Sequence, residues 1–309
     1  DWLANIVLEG LADAILASIA FLRQQLDEKY LTKNDISPLL ELRLELVNND
    51  SVAYTPSISG KNNELRTNVV GWVKDFLNIG KFIPRLDTGE GDYLYEIDED
   101  LAIINKLQEL NAALSSTEQE CTAFADSYMK FEYLWKKDMD EVFGEFMASA
   151  EVPELAEGEE PPPQDAPLPD PSLQQFDAEI AKYKEIADEV ADLPNTVQIQ
   201  WLQVNAKPIK QAISNQVQKW RYRFTEFLSS KLETKIMGLL EFVDEAKGEL
   251  DKDVPEGDND ALITIMGWIR DVRKRMDETD AMFQPLRDTA ALLKKWNEPV
   301  PEDVLAGLD

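Results

Sequence analysis

Histidine is absent from the 309 residues, and cysteine occurs once, at Cys121. Without an imidazole there is no Ser-His-Asp or Cys-His nucleophile pair and no His-ligated metal site. One thiol cannot close an internal disulfide, and no cationic stretch followed by a short apolar region opens the chain as a signal peptide would. A cytosolic compartment is therefore expected. Cys121, between Glu120 and Thr122, has no neighbouring base or basic cluster to lower its pKa and is expected to be a small buried or half-buried residue. Basic residues are also scarce, with 31 Lys and Arg against 60 Asp and Glu and a formal charge of −29. That charge repels phosphate backbones and anionic membrane surfaces, so nucleic acid and membrane are not expected partners. The longest uncharged apolar stretch near the start, residues 14–22, is much shorter than the roughly 20 residues that span a bilayer. It is expected to be a buried helix face.

Phosphate-binding and carboxylate motifs are missing or incomplete. Gly80-Lys81 is followed by Phe82 and has no glycine at the upstream position of a Walker A loop. Asp87-Thr88-Gly89 occurs once, whereas aspartic protease chemistry needs two carboxylates sharing a proton, so a plain turn is the simpler reading. Asp258-Asn259-Asp260 lacks the ligand spacing, central glycine and terminal glutamate of a calcium loop and reads as a helix cap. No catalytic residue, cofactor or metal is expected, and the segment reads as non-enzymatic. Because Asp1 is no natural initiator and the apolar pattern is already under way at Trp2, the chain reads as an excerpt.

What is present is apolar periodicity, in a chain that is 44% hydrophobic. Trp2, Leu3, Ile6, Val7, Leu11, Ile15, Leu16, Ile19, Leu22, Leu26 and Tyr30 recur at steps of three and four, which predicts one stripe of a long helix. Residues 37–47, with Ser37 as a cap, Pro38 in the first turn and Asn48-Asn49-Asp50 as a breaker, predict a second helix. Residues 51–98 are broken by proline and glycine into short runs. Residues 52–55 and 93–97 read as short strands, and 65–77 as a helix. Helical patterns return through Leu101–Leu114 and Phe124–Phe146, then over 173–190, 208–247 and 261–296. Between them, 151–171 is acidic, proline-rich and without a basic residue, which predicts an extended connector.

The expected fold is mainly α: consecutive long-helix bundles forming an elongated stem, with a small irregular or short-strand part around 51–98. The expected division is 1–150, an N-terminal helical bundle; 151–171, the connector; and 172–309, a C-terminal helical bundle. Trp72, Trp135, Trp220 and Trp268 fall in phase with apolar neighbours and are expected in the core. Arg270, Arg273, Lys274 and Arg275 form a basic patch. It reads as a solvated face or as ion-pair partners for nearby acids, and its sharper reading is protein docking.

Several stretches resemble the tail of axonemal dynein heavy chains, most like the outer-arm β type. They are Pro38-Leu39-Leu40-Glu41-Leu42-Arg43-Leu44-Glu45-Leu46 with Val52-Ala53-Tyr54-Thr55-Pro56-Ser57, then Phe131-Glu132-Tyr133-Leu134-Trp135-Lys136-Lys137-Asp138. Residues 176–183 and Pro208-Ile209-Lys210-Gln211-Ala212 continue the likeness. The most specific piece, Met282-Phe283-Gln284-Pro285-Leu286 with Leu292-Leu293-Lys294, is similar to the family sequence leading into the linker.

The resemblance implies a ciliary or flagellar axonemal motor whose ATPase ring and microtubule-binding stalk lie elsewhere in the polypeptide. This segment would carry force between the anchored base and the linker. Its implied partners are intermediate chains, neighbouring heavy chains and docking factors, with no nucleotide-sensitive microtubule binding of its own. Met282, Phe283, Pro285 and Leu286 are the candidate transmission residues, because a proline within a helical pattern predicts a kink or restart near Gln284. Composition and helix length alone would equally permit a spectrin- or vinculin-like scaffold without a motor.

Overall fold

The computed structural model describes residues 2–87, 90–149, 170–252 and 259–300. Among these are ten α-helices and four strands in one small mixed sheet, so the chain is mainly α, as the periodicity predicts. It divides into two compact units, 1–136 with 189–216 and 137–188 with 217–309. The units are interleaved along the sequence, whereas the expected division is consecutive. Residues 151–169 of the expected connector lie outside the described residues.

In the first unit, α1 (Trp2–Gln25) buries Leu11, Ile15, Ile19 and Leu22, spaced by four, four and three. Ile15 and Ile19 join Tyr93, Ile97 and Ile103 in one core. The expected stripe is only partly realised: Trp2, Leu3 and Ile6 are exposed, and Tyr30 belongs to a separate helix, α2 (Glu28–Asn34), begun by the Asp27 cap. By length and composition α1 could also cross a membrane. Its buried face packs in this core and Glu9 and Asp13 lie midway along it, where a bilayer would charge about 2.5–3.5 kcal/mol for each carboxylate, so we read it as a core helix.

The helix expected over 37–47 is instead strand β1 (Glu41–Val47). The reason is the strict alternation Glu41-Leu42-Arg43-Leu44-Glu45-Leu46, whose period of two places Leu42 and Leu44 on one face, both fully buried. Asn48 and Asn49 take left-handed φ values of 53° and 54°, and the Asp50 N–H donates to Val47 O at 3.0 Å. They act as a hairpin turn rather than a helix stop, and lead into β2 (Ser51–Thr55), which covers the strand expected there.

Residues 93–97, expected as a strand, fall mainly in α4 (Leu94–Asp98), where Asp92 Oδ1 accepts the Leu94 N–H at 3.0 Å. Tyr93 and Ile97, four apart, are both buried. Gly80 packs close beside them: a Cβ there would stand 2.5 Å from Ile97 Cδ1, so the Ile97 side chain would have to shift.

The sheet order is β2-β1-β4-β3, with β1 parallel to β4 (Leu202–Asn205) and β4 antiparallel to β3 (Thr196–Ile199). Strands β3 and β4 were not expected from sequence. Between them Trp201 is fully buried and its indole Nε1 donates to Thr117 Oγ1 at 2.9 Å, joining the hairpin to α5 (Leu101–Asp126). Of the four tryptophans expected in the core, only Trp220 is buried; Trp72, Trp135 and Trp268 are half-buried. Helix α3 (Glu64–Leu77), close to expectation, is held to α5 by Arg66, which donates to Glu118 at 3.0 and 2.8 Å and to Ser115 Oγ at 3.0 Å. Short α6 (Tyr133–Lys136) is tied to the β1–β2 turn by Trp135 Nε1, which donates to Asp50 O at 3.2 Å.

The second unit contains α7 (Met139–Ala148), most of α8 (Leu173–Asp192) and α9 (Lys207–Leu250), and α10 (Asn259–Lys295). Its core is aromatic. Phe176 stacks on Phe227 with centroids 5.7 Å apart, and Phe146 meets Phe176 edge-on at 4.9 Å. Phe143 packs edge-on against Phe224 at 5.3 Å. Such pairs add roughly 0.5–1.5 kcal/mol each beyond area burial.

Candidate functional site

Helix α10 carries both sets of candidate residues. It has Asp260 in its first turn and Lys294 and Lys295 in its last, signs that suit the helix dipole. Pro285 lies inside it, but the helix is continuous from Asn259 to Lys295, so the restart expected near Gln284 does not occur. The ring removes one backbone donor, and the buried residues nearest it, Leu286, Ala290 and Leu293, all follow it. Two residues stand out around it. Leu286 is 4% exposed and Met282 is 40% exposed.

Met282, Pro285 and Leu286 line a cavity of about 300 Å³ with Phe176, Leu228 and Leu232. Phe283 is half-buried and not part of that lining, so three of the four residues singled out from the sequence come together and the fourth does not. Lys231 at the same cavity pairs with Asp170.

The end of α10 is anchored on α8. Lys295 Nζ donates to the Asp177 carboxylate at 2.7 and 2.8 Å, and Trp296 Nε1 donates to Asp177 Oδ1 at 2.9 Å. The hydrogen bond from Lys295, helped by the one from Trp296, holds the Asp177 carboxyl below its usual range. Asn297, at φ 57°, ends the helix in a left-handed cap, with the Glu298 N–H donating to Leu293 O at 3.1 Å. Sequence reading missed Asp177, Lys295 and this cap; the Asn after a helix with two terminal lysines was the available signal.

The four basic residues lie on α10, and two of them border a groove. Lys274 and Arg275 line a polar groove of about 480 Å³ with Phe242, Glu245, Trp268, Asp271 and Glu278. Arg275 lies over the Phe242 ring at 5.1 Å. Arg270 makes one contact along its own helix, to Asp271 at 3.4 Å, and neither it nor Arg273 lines the groove. Among the described residues, no group of three or more His, Cys, Asp or Glu side chains is arranged to hold a metal ion.

These features define a mainly α protein whose candidate sites are packing and docking surfaces. No protein-family model matches the chain. Curated relatives do match. The chain is 33% identical to the Chlamydomonas reinhardtii dynein beta chain, flagellar outer arm, across 100% of its own length and 7% of that protein's. It is 30% identical to Mus musculus dynein axonemal heavy chain 17 over 92% of its length and 6% of that relative's. It is 27% identical to the Tripneustes gratilla dynein beta chain, ciliary, over 98% of its length. The chain belongs to the axonemal dynein heavy chains, a family of the ciliary and flagellar axoneme, and spans less than a tenth of the length of these relatives.

Proposed function

We propose that this chain is a non-catalytic stem segment of an axonemal dynein heavy chain. It transmits force between the anchored base and the motor linker, and offers surfaces to intermediate chains, neighbouring heavy chains and docking factors. The observation that carries the reading is the full-length likeness to heavy chains in a segment built largely of long helices. Helix α9 has 44 residues and α10 has 37, roughly 66 and 55 Å at the usual rise. Long helices cross-tied by aromatic packing and by the Asp177 anchor are stiff along their axes, as a force-bearing element needs. That the relatives are dynein chains favours this reading over a spectrin- or vinculin-like scaffold.

In this reading ATP turnover and microtubule binding belong to other parts of the heavy chain. Leu286→Ala tests both halves in the intact motor. Removing a buried leucine costs about 2–5 kcal/mol locally and softens the packing around Pro285. Sliding velocity is expected to fall severalfold while ATPase turnover holds. Equal loss of both, or unchanged sliding in a folded variant, rejects transmission through this helix.

A further inference from the structure

In the first unit, α3 and α5 are bridged at one end by Arg66, which donates to Glu118, to Ser115 and, through Nη1, to Asn111 Oδ1. Beyond that bridge the two helices leave a groove of about 280 Å³. Seven of its nine lining residues are Val or Leu, and the other two are Lys74 and Asn111. Val69, Val73, Leu110 and Leu114 make a buried floor, while Val70 stands 39% exposed at the rim. The sequence explains the gap. On the α3 side the floor is built of valines, short side chains held to one rotamer in a helix, which do not reach across to the leucines of α5.

Every polar group of the lining is a donor. Asn111 has its Oδ1 taken by Arg66, which leaves Nδ2 without an acceptor among the described residues. Lys74 is exposed, and its ammonium makes no hydrogen bond or ion pair among the described residues. Besides Lys74, the ionised residues on α3 and α5 three or four positions from a lining residue are Arg66, Lys106 and Glu118. Arg66 pairs with Glu118, and Lys106 with Glu109. Asp75 follows Lys74 in sequence but is turned about 100° from it and does not line the groove. The groove therefore offers one uncompensated cation beside an apolar floor.

Size limits the occupant. Val69 and Leu77, both in the lining, are eight residues apart, about 12 Å along the helix, which an extended chain of roughly ten carbons matches. The volume stands near the lower end of small-molecule sites, about 300 Å³. A helix of the same length, about 10 Å across, would fill roughly 900 Å³.

We propose that the groove between α3 and α5 binds a medium-chain aliphatic carboxylate, its chain on the valine and leucine floor and its head on Lys74 and the Asn111 amide. The site belongs to the first unit, whereas Met282, Pro285 and Leu286 belong to the second, so ligand binding and force transmission are tested separately.

The test uses the full chain with decanoate, decan-1-ol and decylammonium. Titration calorimetry is expected to show one decanoate per chain, bound about tenfold more tightly than decanol, the lower end of what a hydrogen bond to a charged group supplies, with decylammonium weaker still. Lys74→Glu, at an exposed position, should remove the preference for decanoate and leave decanol binding as it was. Methyl NMR of the unaltered chain should show decanoate shifting Val69, Val70, Leu110 and Leu114. Val70→Trp, which puts an indole into the groove from its rim, should abolish binding of both decanoate and decanol. No saturable decanoate binding, or shifts only at methyls elsewhere in the chain, overturns the site. Equal binding of decanoate and decanol, or a preference that survives Lys74→Glu, overturns the carboxylate as its ligand.

Discussion

Tyr54 and Tyr128 both carry their hydroxyls into the interior of the first unit, and among the described residues only Tyr54 finds a partner. Tyr54 Oη donates to Cys121 O at 2.7 Å, while Tyr128 Oη is buried with no hydrogen bond among the described residues. Burial raises both phenols above their usual range, for Tyr54 with added repulsion from Cys121, Tyr128 and Asp126, so both stay protonated donors. The two phenylalanine substitutions should then differ in sign. Tyr54→Phe removes a satisfied buried bond while Cys121 O keeps its place in the ladder of α5, at about 1 kcal/mol, whereas Tyr128→Phe removes an unsatisfied group and should leave stability unchanged or raised by up to about 1 kcal/mol. Paired urea unfolding curves check this, and equal destabilisation would refute it. Cys121 shares the site, its thiol pushed up to about 12 by burial and then by Glu120 and Glu118. Its inertness was legible in the sequence, where no cation flanks it. The tyrosine pairing was not, because Tyr54 and Cys121 are 67 residues apart and only the sheet brings them together.

At the scale of elements, the long helices were read nearly to their ends and the sheet was mostly missed. Steps of three and four over 208–247 and 261–296 have no competing reading at that length. The run from Glu41 to Val47 carried an equally plain period of two, but Ser37 and Pro38 ahead of it imitate a helix start. Strands β3 and β4 have four residues each, too short for periodicity to declare them before β1 is known to be their neighbour. The α8–α10 tie lay beyond sequence reach for the same reason, since Asp177 and Lys295 are 118 residues apart. Its pH dependence follows from the direction of the shift. The Asp177 carboxyl is held below its unfolded value, so its contribution is fully present above about pH 4 and is lost as pH falls through the folded value. Asp177 is 34% exposed, so solvent screening limits the tie, and Asp177→Asn should cost about 1 kcal/mol at pH 7. The gap between variant and parent should close below pH 4. A gap that stays constant between pH 7 and pH 3 would show that packing, not charge, accounts for the loss.

For the molecule as a whole, the order of the sheet decides what can stand alone. The expected division ends the first bundle at residue 150, but the first unit is completed by residues 189–216, which carry β3, β4 and Trp201. Without them β1 loses its parallel partner through Glu41, Leu42 and Arg43, and β2 and β1 remain a two-stranded hairpin, which is marginal in water. Thr117 on α5 loses the indole that meets it, and the buried face of Leu42 and Leu44 loses the strand beside it. An unpaired edge next to two buried leucines is also a template for aggregation. A fragment 1–150 should therefore keep much of its helix signal but fail to protect the Leu42 and Leu44 amides from hydrogen exchange. Adding the segment 189–216 in trans should restore that protection by at least about tenfold, since pairing converts an exposed edge into an internal ladder. If 1–150 alone protects those amides as well as the full chain does, the unit closes without β4 and the consecutive division stands. If protection returns only with the added segment, the interleaving is structural, and any force carried along this part of the heavy chain enters and leaves each unit through more than one strand of the polypeptide.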